Sequence, residues 1–245
     1  MSNQEKVEKV WVIIPASGIG SRMQSAVPKQ YLLVHGKTIL EHTIRCFIDH
    51  CEVAGILVVT SESDSHWDKL KQSICKVAHR LPLHSTVGGA ERADTVLKGL
   101  SYLSNTLKLK PNQWVMVHDA ARPCLKEADI DKLLAVRFDN NSDGGILATP
   151  VRDTLKRADA TNAIIETPSR DALWQAQTPQ LFKLAPLLTA IRRSKQAGLL
   201  ITDEASAMEQ SRRVVRLVEG SSDNIKVTTP SDLKIVNCLI EGESR

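Results

Sequence analysis

A chain of 245 residues suits one sizeable domain with a well-buried core. With 42% apolar and 24% charged residues it reads as soluble and globular, and no apolar run approaches the length of a membrane span. Its 32 lysines and arginines against 28 acids leave a charge of +4, which suits anionic small molecules, while 4% aromatics advertise no base-stacking surface for nucleic acid.

The charged leader MSNQEKVEKV lacks the apolar core of a signal peptide, so the expected location is the cytoplasm. Val10–Ile14, Gly55–Thr60, Gln113–His118 and Gly144–Thr149 are β-branched or apolar runs with few polar interruptions, as in parallel strands covered on both faces. Amphipathic helices fall between them. Thr38-Ile39-Leu40-Glu41 reads as a capping box, followed by an apolar face of Leu40, Ile44, Phe47 and Ile48. Further helices are expected through Trp67, Leu70 and Ile74, through Ala93, Val96, Leu97, Leu100 and Leu103, and through Ile130, Leu133 and Leu134. The alternation predicts an α/β fold with a doubly wound, mostly parallel sheet in a single domain. After Pro150 the rhythm changes. Residues 150–182 hold short strand-like pieces, Asp153–Arg157 and Ala163–Thr167, separated by polar turns, and read as a protruding β-arm. Helical patterns return at Leu184–Gln196 and Asp203–Gln210, where Thr202 looks like the N-cap. A strand at Arg213–Glu219 follows, then a last helix from about Thr229-Pro230, where the missing proline N–H does no harm. The five cysteines are scattered, without metal spacing, and read as reduced thiols.

Ligands of such sheets bind outside the carboxyl ends of the strands, and three loops leave strand ends here. The first, Pro15-Ala16-Ser17-Gly18-Ile19-Gly20-Ser21-Arg22-Met23, could belong to a dinucleotide-binding oxidoreductase. Against that, Met23 stands where the fingerprint needs its third glycine, and neither of the two tyrosines has a lysine four residues on. A phosphate cradle fits better. Gly18 and Gly20 admit close backbone approach, Arg22 adds a planar cation, and Lys29 adds a point charge after Pro28. Taken alone, the loop fits a triphosphate clamp and an ordinary turn with two surface cations about equally. The second loop is Gly88-Gly89-Ala90-Glu91-Arg92-Ala93-Asp94-Thr95. The third is His118-Asp119-Ala120-Ala121-Arg122-Pro123, where Asp119 could hold Mg²⁺ or simply cap the turn and pair with Arg122. His118 should point away from Asp119 by strand alternation, in a structural role.

Together these loops resemble the signature regions of 2-C-methyl-D-erythritol 4-phosphate cytidylyltransferases. The first loop continues into Pro28-Lys29-Gln30-Tyr31-Leu32, and the third reads Val117-His118-Asp119-Ala120-Ala121-Arg122-Pro123. The likeness extends through Gly88-Gly89, Glu91-Arg92, Pro150-Val151-Arg152-Asp153-Thr154 and Leu173-Trp174 with Ala176, Thr178, Pro179 and Gln180. It ends with Thr202-Asp203-Glu204-Ala205-Ser206 and Asp223-Asn224-Ile225-Lys226-Val227-Thr228.

The resemblance implies a Rossmann-like nucleotidyltransferase sheet. It also implies a reaction that joins CTP to methylerythritol 4-phosphate and releases pyrophosphate, in the non-mevalonate isoprenoid route. By the same resemblance Arg22 and Lys29 stabilise the transition state, and Arg170 and Lys226 position the polyol phosphate. Thr154, Thr178 and Thr202 would stand near that second substrate, with Asp119 as the Mg²⁺ carboxylate. Ala16, Gly18, Gly20, Gly89, Thr95, Ala120 and Arg122 would surround CTP, and the arm would cross to a second subunit in a homodimer. Ser17 stands where a second small alanine is expected, and Ala90 where some members carry aspartate. A ribitol 5-phosphate cytidylyltransferase would share the same loops. The arm motif with Thr154 and Arg170 favours methylerythritol phosphate.

Overall fold

The computed structural model describes residues 8–18, 27–76 and 81–243. Its strands, in chain order, are β1 (Val10–Pro15), β2 (Leu33–Val34), β3 (Lys37–Thr38), β4 (Val53–Thr60), β5 (Leu83–Val87), β6 (Trp114–Val117), β7 (Gly144–Pro150), β8 (Arg157–Ala158), β9 (Ile164–Glu166), β10 (Trp174–Lys183) and β11 (Val215–Glu219). Its helices are α1 (Ile39–Ile48), α2 (Trp67–Cys75), α3 (Arg92–Asn105), α4 (Glu127–Leu134), α5 (Leu184–Gln196), α6 (Glu204–Gln210) and α7 (Pro230–Glu243). Seven strands form the central sheet in the order β11-β7-β10-β6-β1-β4-β5. Only β10 runs antiparallel to its neighbours, β6 and β7; the other pairs are parallel.

Strand alternation sorts the core into two layers. Val10, Val12 and Ile14 pack with α1, α2 and α4, through Leu40, Ile44, Phe47, Trp67, Ile74, Ile130 and Leu133. Trp11 and Ile13 face the other way, onto Val96, Leu100 and Leu103 of α3 and the apolar stripes of α5 and α6. Both faces of β1 are therefore dry, which is why its sequence is a continuous apolar run. Full burial of each such side chain contributes about 1.5–3 kcal/mol. A Cβ at Gly99 would meet Ile13 and Val59 at 3.0 Å, so this glycine sets how closely α3 lies on the sheet. Thr38 caps α1, its hydroxyl accepting the Glu41 N–H at 3.0 Å, while the Glu41 carboxylate turns to Arg45 instead of closing the box. A third cluster seats α7 on Val34, Ile39, Ala121, Cys124 and Val227.

Three further expectations change. The arm is shorter than 150–182, because Trp174–Lys183 is the long antiparallel strand of the main sheet. What protrudes is the hairpin β8–β9 and its flanks, exposed along its length. Strand β5, with its mixed sequence LHSTV, was not expected; it lies at the sheet edge, where burial demands less apolarity. Helix α6 is capped by Asp203 and not by Thr202: the Asp203 carboxylate accepts the Ser206 N–H, and Ser206 Oγ receives the Asp203 N–H. Among the described residues no helix is long and apolar enough to cross a membrane.

Candidate active site

Parallel strands β1 and β6 lie side by side, with Ile13 opposite Val117, so both deliver their following loops to one edge. Ala16 N–H donates to Val59 O, and Gly88 N–H donates to Thr60 O, bringing the loop after β5 to the same edge. Between the three loops opens a cavity of about 330 Å³. Its lining includes Ala16, Ser17, Gly18, Lys29 and Gln30 from the first loop, Ala90, Glu91 and Arg92 from the second, and Asp119, Ala120, Lys226 and Thr228. Gln30, in a single helical turn over Lys29–Tyr31, donates its amide to Ala16 O at 2.8 Å and to Gly18 O at 3.2 Å. A buried side chain thus fixes the first loop from below.

Asp119 is the electrostatic centre. Its Oδ1 takes a bond from Arg92 Nε at 3.0 Å, its Oδ2 lies 2.8 Å from Lys226 Nζ, and Arg122 Nε stands at 3.6 Å. Burial pushes its carboxyl pKa up, but the Arg92, Lys226 and Arg122 cations more than reverse this and hold it well below the usual carboxylate range. Lys226 is placed by the neighbouring peptide, where Val227 N–H donates to Ala121 O at 2.8 Å. Lys29 reaches the same segment, donating to Val227 O at 3.0 Å.

The Asp119 backbone is held by a relay. Arg122 O can only accept, so His118 carries its proton on Nε2 and donates there at 3.0 Å. Its Nδ1 is then the acceptor for the Thr178 hydroxyl at 3.1 Å, and Thr178 Oγ1 in turn accepts the Asp119 N–H at 3.0 Å. Burial lowers the His118 pKa to about 4, so the ring stays neutral as the relay requires. Its edge packs on Phe47, at 5.2 Å between ring centroids. His118 is structural, as strand alternation suggests.

The structure therefore brings Ala16, Gly18, Lys29, Asp119, Ala120 and Lys226 together around one cavity. Gly89 and Thr95 sit behind it: Gly89 N–H donates to Thr95 Oγ1 at 3.2 Å, and Thr95 is fully buried. Arg122 is also set back, donating to Asn224 O at 2.6 Å. Thr178 lies beneath Asp119, its hydroxyl engaged on both sides. Thr202 precedes α6, with its N–H on Ser206 Oγ at 3.1 Å. Thr154 and Arg170 are exposed on the arm, where Arg170 donates to Arg152 O; neither lines the cavity of its own chain. Gly20 and Arg22 lie outside the described residues. Ser17 does more than replace an alanine, since its hydroxyl lies 2.6 Å from that of Thr95 and ties the first loop to the second.

A family model, 2-C-methyl-D-erythritol 4-phosphate cytidylyltransferase (IspD), matches residues 10–242. The chain belongs to this family. A relative of that name from Ectopseudomonas mendocina is 48% identical over 92% of this chain and 93% of its own. Another, from Vibrio parahaemolyticus, is 46% identical over 98% of each. The crystal structure of the Francisella tularensis 2-C-methyl-D-erythritol 4-phosphate cytidylyltransferase superposes with a TM-score of 0.78 at 35% identity, covering 95% of this chain and 100% of that one. Family membership makes the chain a nucleotidyltransferase of the cytidylyl class.

Two residues of this site had no role assigned from the sequence. Arg92 forks onto Glu204, with Nη1–Oε1 at 2.6 Å and Nη2–Oε2 at 3.0 Å, while its Nε reaches Asp119. Both fall within motifs that carry the family likeness, but a glutamate in the first turn of a helix reads equally well as a helix-dipole partner. For a metal, the cavity offers the buried carboxylate of Asp119 and the exposed one of Glu91, and no group of three potential ligands exists among the described residues. Both oxygens of Asp119 already meet Arg92 and Lys226, so a divalent cation beside it would take most of its shell from phosphate oxygens and water, as Mg²⁺ does, and not from a protein cage.

Proposed function

We propose that the chain is a cytoplasmic homodimeric enzyme of the non-mevalonate isoprenoid route, converting CTP and 2-C-methyl-D-erythritol 4-phosphate to 4-diphosphocytidyl-2-C-methyl-D-erythritol and pyrophosphate. A phosphate oxygen of the polyol attacks the α-phosphorus of CTP in line. The new P–O bond forms as the α–β bridging bond breaks, and the electron pair leaves with pyrophosphate. The attacking group is already an anion, so no general base is required. The barrier is repulsion between anions, and catalysis is positioning with charge neutralisation.

Lys29 and Lys226 supply cations to the cavity, Lys29 reaching the backbone beside Lys226, and by the family resemblance Arg22 would add a third. Backbone at Ala16, Gly18 and Ala120 approaches the triphosphate, while Gly89, Thr95 and Arg122 support its surroundings. Asp119 would hold Mg²⁺, which when bound lowers the negative charge of the phosphates. Thr178 and Thr202 brace the walls on the polyol side. Thr154 and Arg170, remote from their own cavity lining, would serve the site of the partner subunit. The exposed Ile164 and Ile165 of the same arm, 65% and 61% exposed, support this crossing.

The observation that carries the reading is the buried Asp119 held ionised between Arg92 and Lys226 where three loops meet. The test is pyrophosphate release from CTP and Mg²⁺ with methylerythritol 4-phosphate or ribitol 5-phosphate. Faster release with methylerythritol phosphate is expected. A preference for ribitol phosphate would reassign the second substrate, and no release with either would leave a nucleotide-binding protein without transferase activity.

A further inference from the structure

Ser17 is half-buried in the loop after β1 and lines the cavity. Gln30 holds the carbonyls on either side of it, Ala16 O and Gly18 O, while the Ser17 hydroxyl lies 2.6 Å from Thr95 Oγ1. Thr95 is fully buried near the start of α3. A hydroxyl has one proton and two acceptor lone pairs. Gly89 N–H can only donate, at 3.2 Å, and takes one of the Thr95 lone pairs. Glu91 O can only accept and, at 3.0 Å, claims the Thr95 proton over Gly89 O at 3.4 Å. The second lone pair is left for Ser17, which is therefore the donor. Its proton is spent on Thr95, and none is left for a phosphate. The two loops meet closely here: a Cβ at Gly88 would come within 2.9 Å of the Thr95 side chain and 3.0 Å of Ser17 Cβ. Lys98 Nζ donates to Gly88 O at 2.7 Å and fixes that loop to α3.

We propose that Ser17 is a positioning residue for the nucleotide: by donating to Thr95 it joins the loop after β1 to the loop after β5, and so sets the span between two walls that hold a nucleoside triphosphate. This rests on the cavity being the CTP site, with the first loop on the triphosphate and the second on the rest of the nucleotide. A ligand that touches the first loop alone gains nothing from the tie. A ligand that spans both loops must order them itself when the tie is missing. The tie is one neutral hydrogen bond, whose net contribution corresponds to about 2–12-fold in a binding constant.

The experiment is isothermal titration calorimetry of the full chain with CTP and with inorganic tripolyphosphate, both in Mg²⁺ buffer. Ser17→Ala leaves Thr95 paired with Gly89 and Glu91, so no buried group is orphaned and the variant should fold, as thermal melting will show. Its CTP affinity should fall about threefold or more, while tripolyphosphate affinity falls by less than about twofold. A smaller loss of CTP affinity would overturn the proposal. So would a larger loss for tripolyphosphate, the mark of a damaged phosphate loop or of a hydroxyl that bonds phosphate directly. On a Thr95→Val background the tie is already gone, so Ser17→Ala should cost less than about threefold more; a further loss of that size or greater would show Ser17 acting elsewhere and refute its role through Thr95. Should Thr95→Val fail to fold, Thr95→Ser keeps the acceptor, and there Ser17→Ala should again cost about threefold or more; a smaller loss counts against the tie. A parent that binds CTP but releases no pyrophosphate would sink the transferase reading alone, since the affinities still decide the role of Ser17. A parent that binds no CTP would remove both.

Discussion

Lys226→Ala separates a catalytic cation from a structural one. The ammonium lies 2.8 Å from Asp119 Oδ2 and lines the cavity, with its side chain 37% exposed. Asp119 keeps Arg92 at 3.0 Å and Arg122 at 3.6 Å when the lysine is removed, so the carboxylate stays ionised and paired. The stability cost is accordingly that of a partly solvated ion pair, about 1 kcal/mol or less. For a domain of this size that is a melting shift of about 2–4 °C. Catalysis should suffer far more on the proposed mechanism, in which the lysine neutralises charge as two phosphates meet. Loss of one preorganised group of this kind costs about 10²–10³ in kcat, or about 2.7–4 kcal/mol. Initial rates of pyrophosphate release at saturating CTP, Mg²⁺ and methylerythritol phosphate measure it. An interaction made only in the transition state lowers kcat and kcat/KM together. Turnover within about threefold of the parent in a folded variant would refute charge neutralisation by Lys226. A collapse of the melting transition would show instead that the lysine holds the fold.

Lys29→Ala should lower kcat by about 10²-fold, with the melting temperature little changed, in the same assay. Thr178→Val keeps the side-chain shape but breaks the relay from Asp119 N–H to His118 Nδ1. Two buried polar groups are left unpaired at about 1–3 kcal/mol each, and calorimetry should record a fall of several degrees in melting temperature. At Asp232 burial raises the carboxyl, but hydrogen bonds from Thr228 N–H and Oγ1–H and from Thr229 N–H outweigh it and leave the group at about 2. A depressed carboxyl stabilises the fold above its ordinary value of 3.8, and that contribution is lost as pH falls from there toward 2. Asp232→Ala should cost about 1 kcal/mol at neutral pH and flatten the melting profile across that acid window. Replacing Ile164 and Ile165 together by aspartate should shift the sedimentation of a dimer to that of a monomer; an unchanged sedimentation coefficient would exclude the arm as its contact.

The parts of this molecule legible in sequence are those whose cause is local. Strands β1, β4, β6 and β7 are buried on both faces, so each is an apolar run that marks itself. Helix α5 has a full apolar stripe, and its observed bounds match the pattern from Leu184 to Gln196. Strand β10 hid because Gln177, Thr178, Pro179 and Gln180 look like a loop, although Gln177, Thr178 and Gln180 are all buried. They are polar because that strand must tie β6, α6 and the loop around Asn224 together. Gln180 binds Asp203 and Ala205, Thr178 holds the Asp119 backbone, and Thr178 O accepts from Asn224 Nδ2 at 2.8 Å. The candidate site divides in the same way. The glycines, Lys29 and Asp119 follow strand ends, and a doubly wound fold brings strand ends to one edge without further information. Arg92 and Glu204 are informative only as a pair, and their proximity depends on α6 being capped at Asp203 and anchored to β10. The three loops decide where phosphates can go and supply the Arg92 and Arg122 cations around Asp119, whereas that one antiparallel strand and the helix pinned to it decide that Arg92 also meets Glu204.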